Sequence, residues 1–555
     1  MKRYWLSILA IPLLANAETL SPFGIGSCYT NSRSVEDLER WLPQMAEAGI
    51  HFLRSPATSW NAVEPAQGKW QWETLDAQMA YLEKHQMGCG GLLLGGVPWG
   101  KSEGLPVENL PAWSNYVAQV VKHLQGKVKY WEVWNEPPNF IGPKQTAADY
   151  AKIVVAAYNA AKAADPACLI GLAAKSAHVN FLEQTIKSGA KDHFDFITLH
   201  PYEVLGSVTE HRGTEAVFLN IVPTVRKMLA AQNPGKVNVP IIFTEIGADT
   251  KAGEELPAEA LVKAYTLGMA QGVACIEWFE GRDGDSGPMG LLDDKGAPRP
   301  AYQAMKQMIQ HFSQHPEYLG WVLVDDWDYG FVFQGAKDSV LVTWARGDAD
   351  HVKFGQKVEI LNPITGVRAT TESYSLTKAP MLVLGVPQNL LNQAKANKAL
   401  PLPWGGDYSK AKSVSIKLEG TVQENGLHTL SGDAIGAAVL AYGGSGRSGN
   451  VPGGNAFVVD PQFLSYTSTP IEIKVVVRRN QANDNAGFKL VYESTAGFKG
   501  GDWYTIPDNK EWYTISWKIT DAQFVNMWGY NFLLESDGDQ YNKYFIQSVT
   551  VTKLD

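Results

Sequence analysis

Eight short apolar runs, separated by amphipathic stretches, occupy the first 312 residues of this 555-residue chain. The runs cover 23–28, 51–56, 88–95, 128–135, 168–174, 194–200, 240–244 and 273–279. Between them, 34–48, 75–85, 112–124, 147–164, 216–232 and 257–271 carry apolar residues at helical spacing. Short strands alternating with helices imply a parallel sheet, because a parallel neighbour is reached only through a crossover. Eight such units within roughly 300 residues predict a closed (β/α)8 barrel, the TIM barrel. A doubly wound open sheet also alternates, but no Gly-rich phosphate turn follows the first run.

The pattern changes after the barrel segment, 18–312. Short alternating runs between 320 and 386 predict a small antiparallel β domain over 313–390. A stretch of Asn, Ala, Lys and Pro at 391–403 reads as a linker, and 404–555, rich in Gly and aromatic residues, as a β-sandwich of jelly-roll type. At the other end, Lys2 and Arg3 precede an apolar run over 4–14 and the small-x-small sequence Ala15-Asn16-Ala17. That is the pattern of a cleavable export signal occupying 1–17, so a secreted or periplasmic mature chain from Glu18 is expected. The apolar run is too short to span a bilayer and no later stretch is long enough, which predicts no membrane insertion.

Hydrophobic content of 45% with 19% charged residues excludes a disordered or fibrous chain. Loss of Lys2 and Arg3 takes the formal charge from −9 to −11 (46 basic against 57 acidic), which disfavours nucleic acid as a partner. Cys28, Cys89, Cys168 and Cys275 all fall in apolar runs and read as core thiols, with one Cys28–Cys275 bridge left open. No metal-ligand spacing joins them, and no cofactor or metal is expected. The oligomeric state is not legible.

Two carboxylates stand out. Glu136 ends the run Lys129-Tyr-Trp-Glu-Val-Trp-Asn-Glu-Pro137, and Glu245 ends Val239-Pro-Ile-Ile-Phe-Thr-Glu-Ile-Gly247. Breaking a glycosidic bond needs such a pair: one carboxyl protonated to donate to the leaving oxygen, the other ionised to attack or to activate water. Both fall where a barrel places its chemistry, at the C-terminal ends of strands four and seven.

The first of these runs resembles the acid/base signature of the clan A glycoside hydrolases, with Asn135-Glu136-Pro137 after strand four; Phe243-Thr-Glu-Ile-Gly247 resembles their nucleophile strand. Trp60-Asn-Ala-Val-Glu64-Pro-Ala-Gln-Gly68-Lys-Trp70-Gln-Trp72 and Gly290-Leu-Leu-Asp-Asp-Lys-Gly-Ala-Pro-Arg-Pro-Ala-Tyr302 extend the likeness over about 22–312. Within the clan the chain looks most like family 39, of β-xylosidases and exopolysaccharide endo-glycosidases. Ile246 departs from the aromatic or small polar residue of many relatives and implies a different pocket wall.

The resemblance implies a retaining β-glycoside hydrolase acting by double displacement on a polysaccharide or oligosaccharide. Glu136 would be acid then base, with a raised pKa, and Glu245 the nucleophile, with a low one. Asn135 would bond the sugar 2-hydroxyl, and Arg54 would sit by Glu245 or else pair with Glu132. His200 and Tyr202 would orient Glu245, while Trp278 would floor the subsite and Trp99 stack on a sugar. Glu277 and Glu280 are the rival acids to this assignment, and Glu280 is the one that could contact substrate. Trp404, Trp503, Trp512, Trp517 and Trp528, with Tyr504, Tyr513, Tyr530 and Tyr541, suit a carbohydrate-binding module as well as a sandwich core. Asp537-Gly-Asp539 is a weak match for a Ca²⁺ loop. Two other functions share these residues: a cell-envelope transglycosylase and a non-catalytic glycan-binding protein on a barrel scaffold.

Overall fold

The computed structural model describes residues 20–555 apart from 27–33, 97–98, 100–103, 211–212, 285, 348–350, 431–441, 443–445, 450–454, 483–484 and 537–540. The export signal, Cys28 and the Asp537–Asp539 stretch therefore lie outside the described residues.

Eight parallel strands close into a barrel: β1 (Phe23–Gly26), β2 (Phe52–Arg54), β3 (Gly88–Leu93), β4 (Tyr130–Val133), β5 (Leu169–Lys175), β6 (Phe196–His200), β7 (Ile241–Ile246) and β8 (Cys275–Phe279). Pairing of β1 with β8, from Phe23 opposite Ile276 to Gly26 opposite Phe279, closes the ring. The barrel helices form where apolar residues recur every three or four positions. Leu110–His123, for example, buries Trp113, Tyr116, Val117, Val120 and Val121 along one stripe. The helix expected over 34–48 is two, Val35–Glu39 and Leu42–Glu47, because Pro43 fits only the first turn of a new helix. Helix Tyr202–Glu210, after β6, was not anticipated.

Strand alternation sorts the barrel interior into layers. An apolar floor of Phe196, Ile242 and Cys275 packs with Phe52 and Tyr130. Two residues further along the same strands, the buried polar side chains Arg54, Glu132, Thr198, Thr244 and Glu277 fill the next layer. Cys89, Cys168 and Cys275 are buried free thiols.

Six antiparallel strands follow: β9 (Glu317–Leu323), β10 (Tyr329–Gln334), β11 (Ser339–Thr343), β12 (His351–Leu361), β13 (Arg368–Ser375) and β14 (Met381–Leu384), in the order β13-β12-β14-β11-β10-β9. The expected linker at 391–403 is not a loose tether: it begins inside a helix, Gln388–Asn397, that packs on β9. Gly320 makes that contact possible, since a Cβ there would lie 1.8 Å from the Ala394 carbonyl oxygen. Beyond it, two antiparallel sheets face each other across a core that includes Ile416, Phe457, Val475, Phe488, Phe532 and Val549. This sandwich docks on the barrel: Asn180 donates to the Ser494 carbonyl and Ser176 to that of Met527, each at 2.5 Å.

Candidate active site

The polar layer of the barrel rises into a cavity of about 830 Å³ walled by Ser55, Gln71, Leu94, Phe140, Phe279 and Met289, among others, with Glu136 and Glu245 on its surface. This size suits a small-molecule or sugar site. A second cavity, of about 870 Å³, lies between the barrel and the β units, lined by Trp321, Leu400 and Pro461 among others.

Regular alternation along β7 turns Thr244 inward and would turn Glu245 away. A register shift between Phe243 and Ile246 against β8 inserts the extra residue that brings Glu245 into the mouth as well. Glu136 arrives differently. It lies three residues past β4 in a left-handed conformation, φ +48°, which a side-chain-bearing residue adopts only when its surroundings impose it.

One carboxylate oxygen of Glu136, one of Glu245 and a ring nitrogen of His200 all lie within 4.8 Å of one another. Arg54 organises the floor of this cluster. Its Nε donates to Glu132 Oε2 at 2.9 Å, one terminal nitrogen donates to Asn135 Oδ1 at 2.8 Å, and the other pairs with Glu245 Oε1. Both sequence readings of Arg54 therefore hold at once. Burial works against its charge, but Glu132, Glu245 and Glu277 outweigh it and push the guanidinium's pKa further up. Tyr202 donates to the second oxygen of Glu245 at 3.1 Å.

His200 is buried between the two carboxylate systems. Thr244 and Thr198 each give their single hydroxyl proton to Glu132 Oε1, at 2.9 and 2.6 Å. Thr244 Oγ1, 3.0 Å from His200 Nε2, can then only accept from the ring, so Nε2 carries the hydrogen. Nδ1 faces Glu136 Oε1 at 2.9 Å.

Against the expected raised pKa, Glu136 is held below the usual carboxylate value. Burial acts to raise it, but the hydrogen bond and charge of His200, with the charges of Lys175 and Arg54, prevail. Glu277 moves the other way: buried beneath the site, with Oε2 unpartnered, it is pushed well up by desolvation and its neighbouring acids. Among the described residues, Glu136, His200 and Glu245 are the group whose donor atoms converge closely enough to hold a cation.

Four sequence expectations are corrected. Trp278 is buried in the packed layer outside β8, since alternation turns Glu277 and Phe279 inward; Phe279 lines the cavity in its place. Ile246 faces the same packed layer, not the pocket. Trp99 lies edge-on to Trp60, with ring centroids 5.8 Å apart, and is not among the described lining residues. Glu280 is fully buried and accepts from the Gly284 N–H at 3.1 Å. Phe140 was missed: it projects from the loop carrying Glu136 and is 65% exposed, its carbonyl held by Trp134 Nε1 at 3.1 Å. Its only sequence signal was its place four residues after Glu136.

Residues 44–173, from the helices before β2 into β5, match the model of glycosyl hydrolase family 10. This barrel segment is thus similar in sequence to glycosyl hydrolases over part of its length. Among solved structures, a family 39 glycoside hydrolase from the gut symbiont Bacteroides cellulosilyticus WH2 superposes with a TM-score of 0.54 at 19% identity, over 66% of this chain and 81% of that one. The two chains share the barrel fold. Native xylanase 10B from Thermotoga maritima follows at a TM-score of 0.39 and 18% identity, over 52% and 94% of the two chains. A family 51 α-L-arabinofuranosidase from Thermotoga petrophila RKU-1 gives 0.48 at 12% identity, over 66% and 97%. No curated protein matches the chain.

Proposed function

We propose that this protein is an exported retaining β-glycosidase of polysaccharides or oligosaccharides, with Glu245 as nucleophile and Glu136 as acid and then base. The convergence of Glu136 and Glu245 oxygens within 4.8 Å carries this reading. Retaining enzymes hold their carboxyl groups about 5–5.5 Å apart, whereas inverting ones leave a gap of roughly 6.5–9.5 Å for a water.

In the first step a Glu245 oxygen bonds to the anomeric carbon as the bond to the leaving oxygen breaks. Glu136 gives its proton to that oxygen. Arg54 and Tyr202 hold the two Glu245 oxygens and keep the carboxylate aimed. In the second step Glu136 takes a proton from water, whose oxygen displaces Glu245 from the anomeric carbon. Asn135, fixed by Arg54, is placed to bond the sugar 2-hydroxyl. The polar, Arg-containing cluster and the aromatic wall at Phe140 suit a neutral sugar ring.

Glu245→Ala is expected to be inactive on p-nitrophenyl β-glycosides and to regain turnover with azide, giving a product of inverted configuration. Wild-type turnover by that variant would end the assignment. Export rests on residues 1–17, and a mature N-terminus at Glu18, read by mass spectrometry of the native protein, tests it.

A further inference from the structure

In the C-terminal sandwich the turn 525–531 is built around a buried carboxylate. Glu493 accepts the backbone N–H groups of Val525 (2.9 Å), Asn526 (3.0 Å) and Met527 (2.6 Å) and the side-chain amide of Asn531 (2.8 Å). Four donors on one carboxylate fix the turn in a single shape. The turn is also bonded to the barrel. Met527 accepts from Ser176 Oγ, and Gly529 lies so close to the helix after β6 that a Cβ would stand 2.3 Å from Ser207 Oγ.

Ser176 directly follows β5 and bridges to His200, the residue that holds Glu136. Its neighbour Lys175 donates its N–H to the Pro137 carbonyl at 3.0 Å, tying the same edge to the Glu136 loop. The turn thus sits on the β5–β6 rim of the barrel mouth. The cavity lies largely on the other side, walled mainly by segments after β2, β3 and β8. A glycan whose attacked sugar fills that cavity therefore leaves past Glu136 over the β5–β6 rim.

Trp528 stands on this rim, 38% exposed although large and apolar. Its ring stacks on Phe498 with centroids 4.7 Å apart and 14° between planes, and Tyr530 backs Phe498 at 5.2 Å. A rigid turn that keeps an indole half in water, braced from behind by a parallel ring, presents a flat apolar face to the C–H face of a pyranose.

We propose that Trp528, braced by Phe498, is a sugar-stacking subsite on the leaving-group side of the cleft. The sandwich is then part of the substrate-binding surface, and the substrate is a chain several sugars long. This inference rests on the function proposed above. The test compares Trp528→Ala and Trp528→Phe with wild type on p-nitrophenyl monosaccharides and on cello-, xylo- and manno-hexasaccharides. The expected result is a fall in kcat/KM for Trp528→Ala about 10-fold larger on the cleaved hexasaccharide than on the aryl glycoside. It should lie in KM, with Trp528→Phe recovering most of it. Binding is read in parallel in the Glu136→Gln background by electrophoresis through gels containing xylan, glucomannan or hydroxyethyl cellulose. Retardation by one of these that Trp528→Ala weakens supports the subsite. Equal losses on both substrate classes, or no retardation that Trp528→Ala weakens, overturn it. Failure of the retaining mechanism shows separately, in the Glu245→Ala azide experiment.

Discussion

His200 carries its hydrogen on Nε2 and turns Nδ1 toward Glu136 Oε1 at 2.9 Å, so one further proton between them serves both groups. Placed on Nδ1, it leaves an imidazolium against a carboxylate, the arrangement that holds Glu136 low before substrate arrives. Placed on Glu136, it is the proton a leaving sugar oxygen needs. His200→Ala is expected to lower kcat/KM about 100-fold on glycans, whose alkoxide leaving groups demand protonation, and far less on p-nitrophenyl glycosides. Equal losses on both classes, measured side by side, would show that the ring only packs.

The low Glu136 value also makes stability depend on pH. Between its folded value and the ordinary 4.5, the unfolded chain binds more protons than the native one, so stability rises with pH there. Ionised Glu136 thus contributes stability above 4.5 that is lost as pH falls through the folded value. Glu136→Gln removes this dependence. The difference in thermal midpoint between wild type and variant is expected to shift against wild type as the pH is lowered from neutrality to below 4.5; a constant difference contradicts it.

Arg54 serves three partners with one planar fork. Arg54→Met leaves Glu132 buried without its cation and is expected to cost about 3 kcal/mol or more in urea unfolding. Arg54→Lys keeps the charge but loses the fork; it should be the more stable of the two and still lose about 100-fold in kcat/KM. A Lys variant with full activity would show that charge alone suffices.

Phe140 is exposed, so Phe140→Ala should change folding stability by no more than about 0.5 kcal/mol. If its ring stacks on sugar, KM should rise up to about 10-fold with kcat little changed. Steady-state kinetics on the best hexasaccharide check this, and an unchanged KM removes Phe140 from the binding surface.

All eight barrel strands and the Glu136/Glu245 pair were legible because they are local patterns. Buried parallel strands are short apolar runs, helices repeat every 3.6 residues, and a carboxylate at the end of an apolar run is conspicuous. The helix 388–397 was not, since its Asn- and Lys-rich composition looks like a tether until β9 offers a face for Ala394 and Asn397.

The sequence by itself determined the barrel, its order, and which two acids are displayed from it. The tertiary structure decided where side chains point and what they meet. A period of two fixes the face of a residue only while a strand stays regular. The β7 register shift turned Glu245 into the mouth, while unbroken alternation on β8 sent Trp278 outward and left Phe279 at the cavity. Contacts such as Ser176 with Met527, 351 residues apart, leave no local trace, because they arise only when two separately folded surfaces meet.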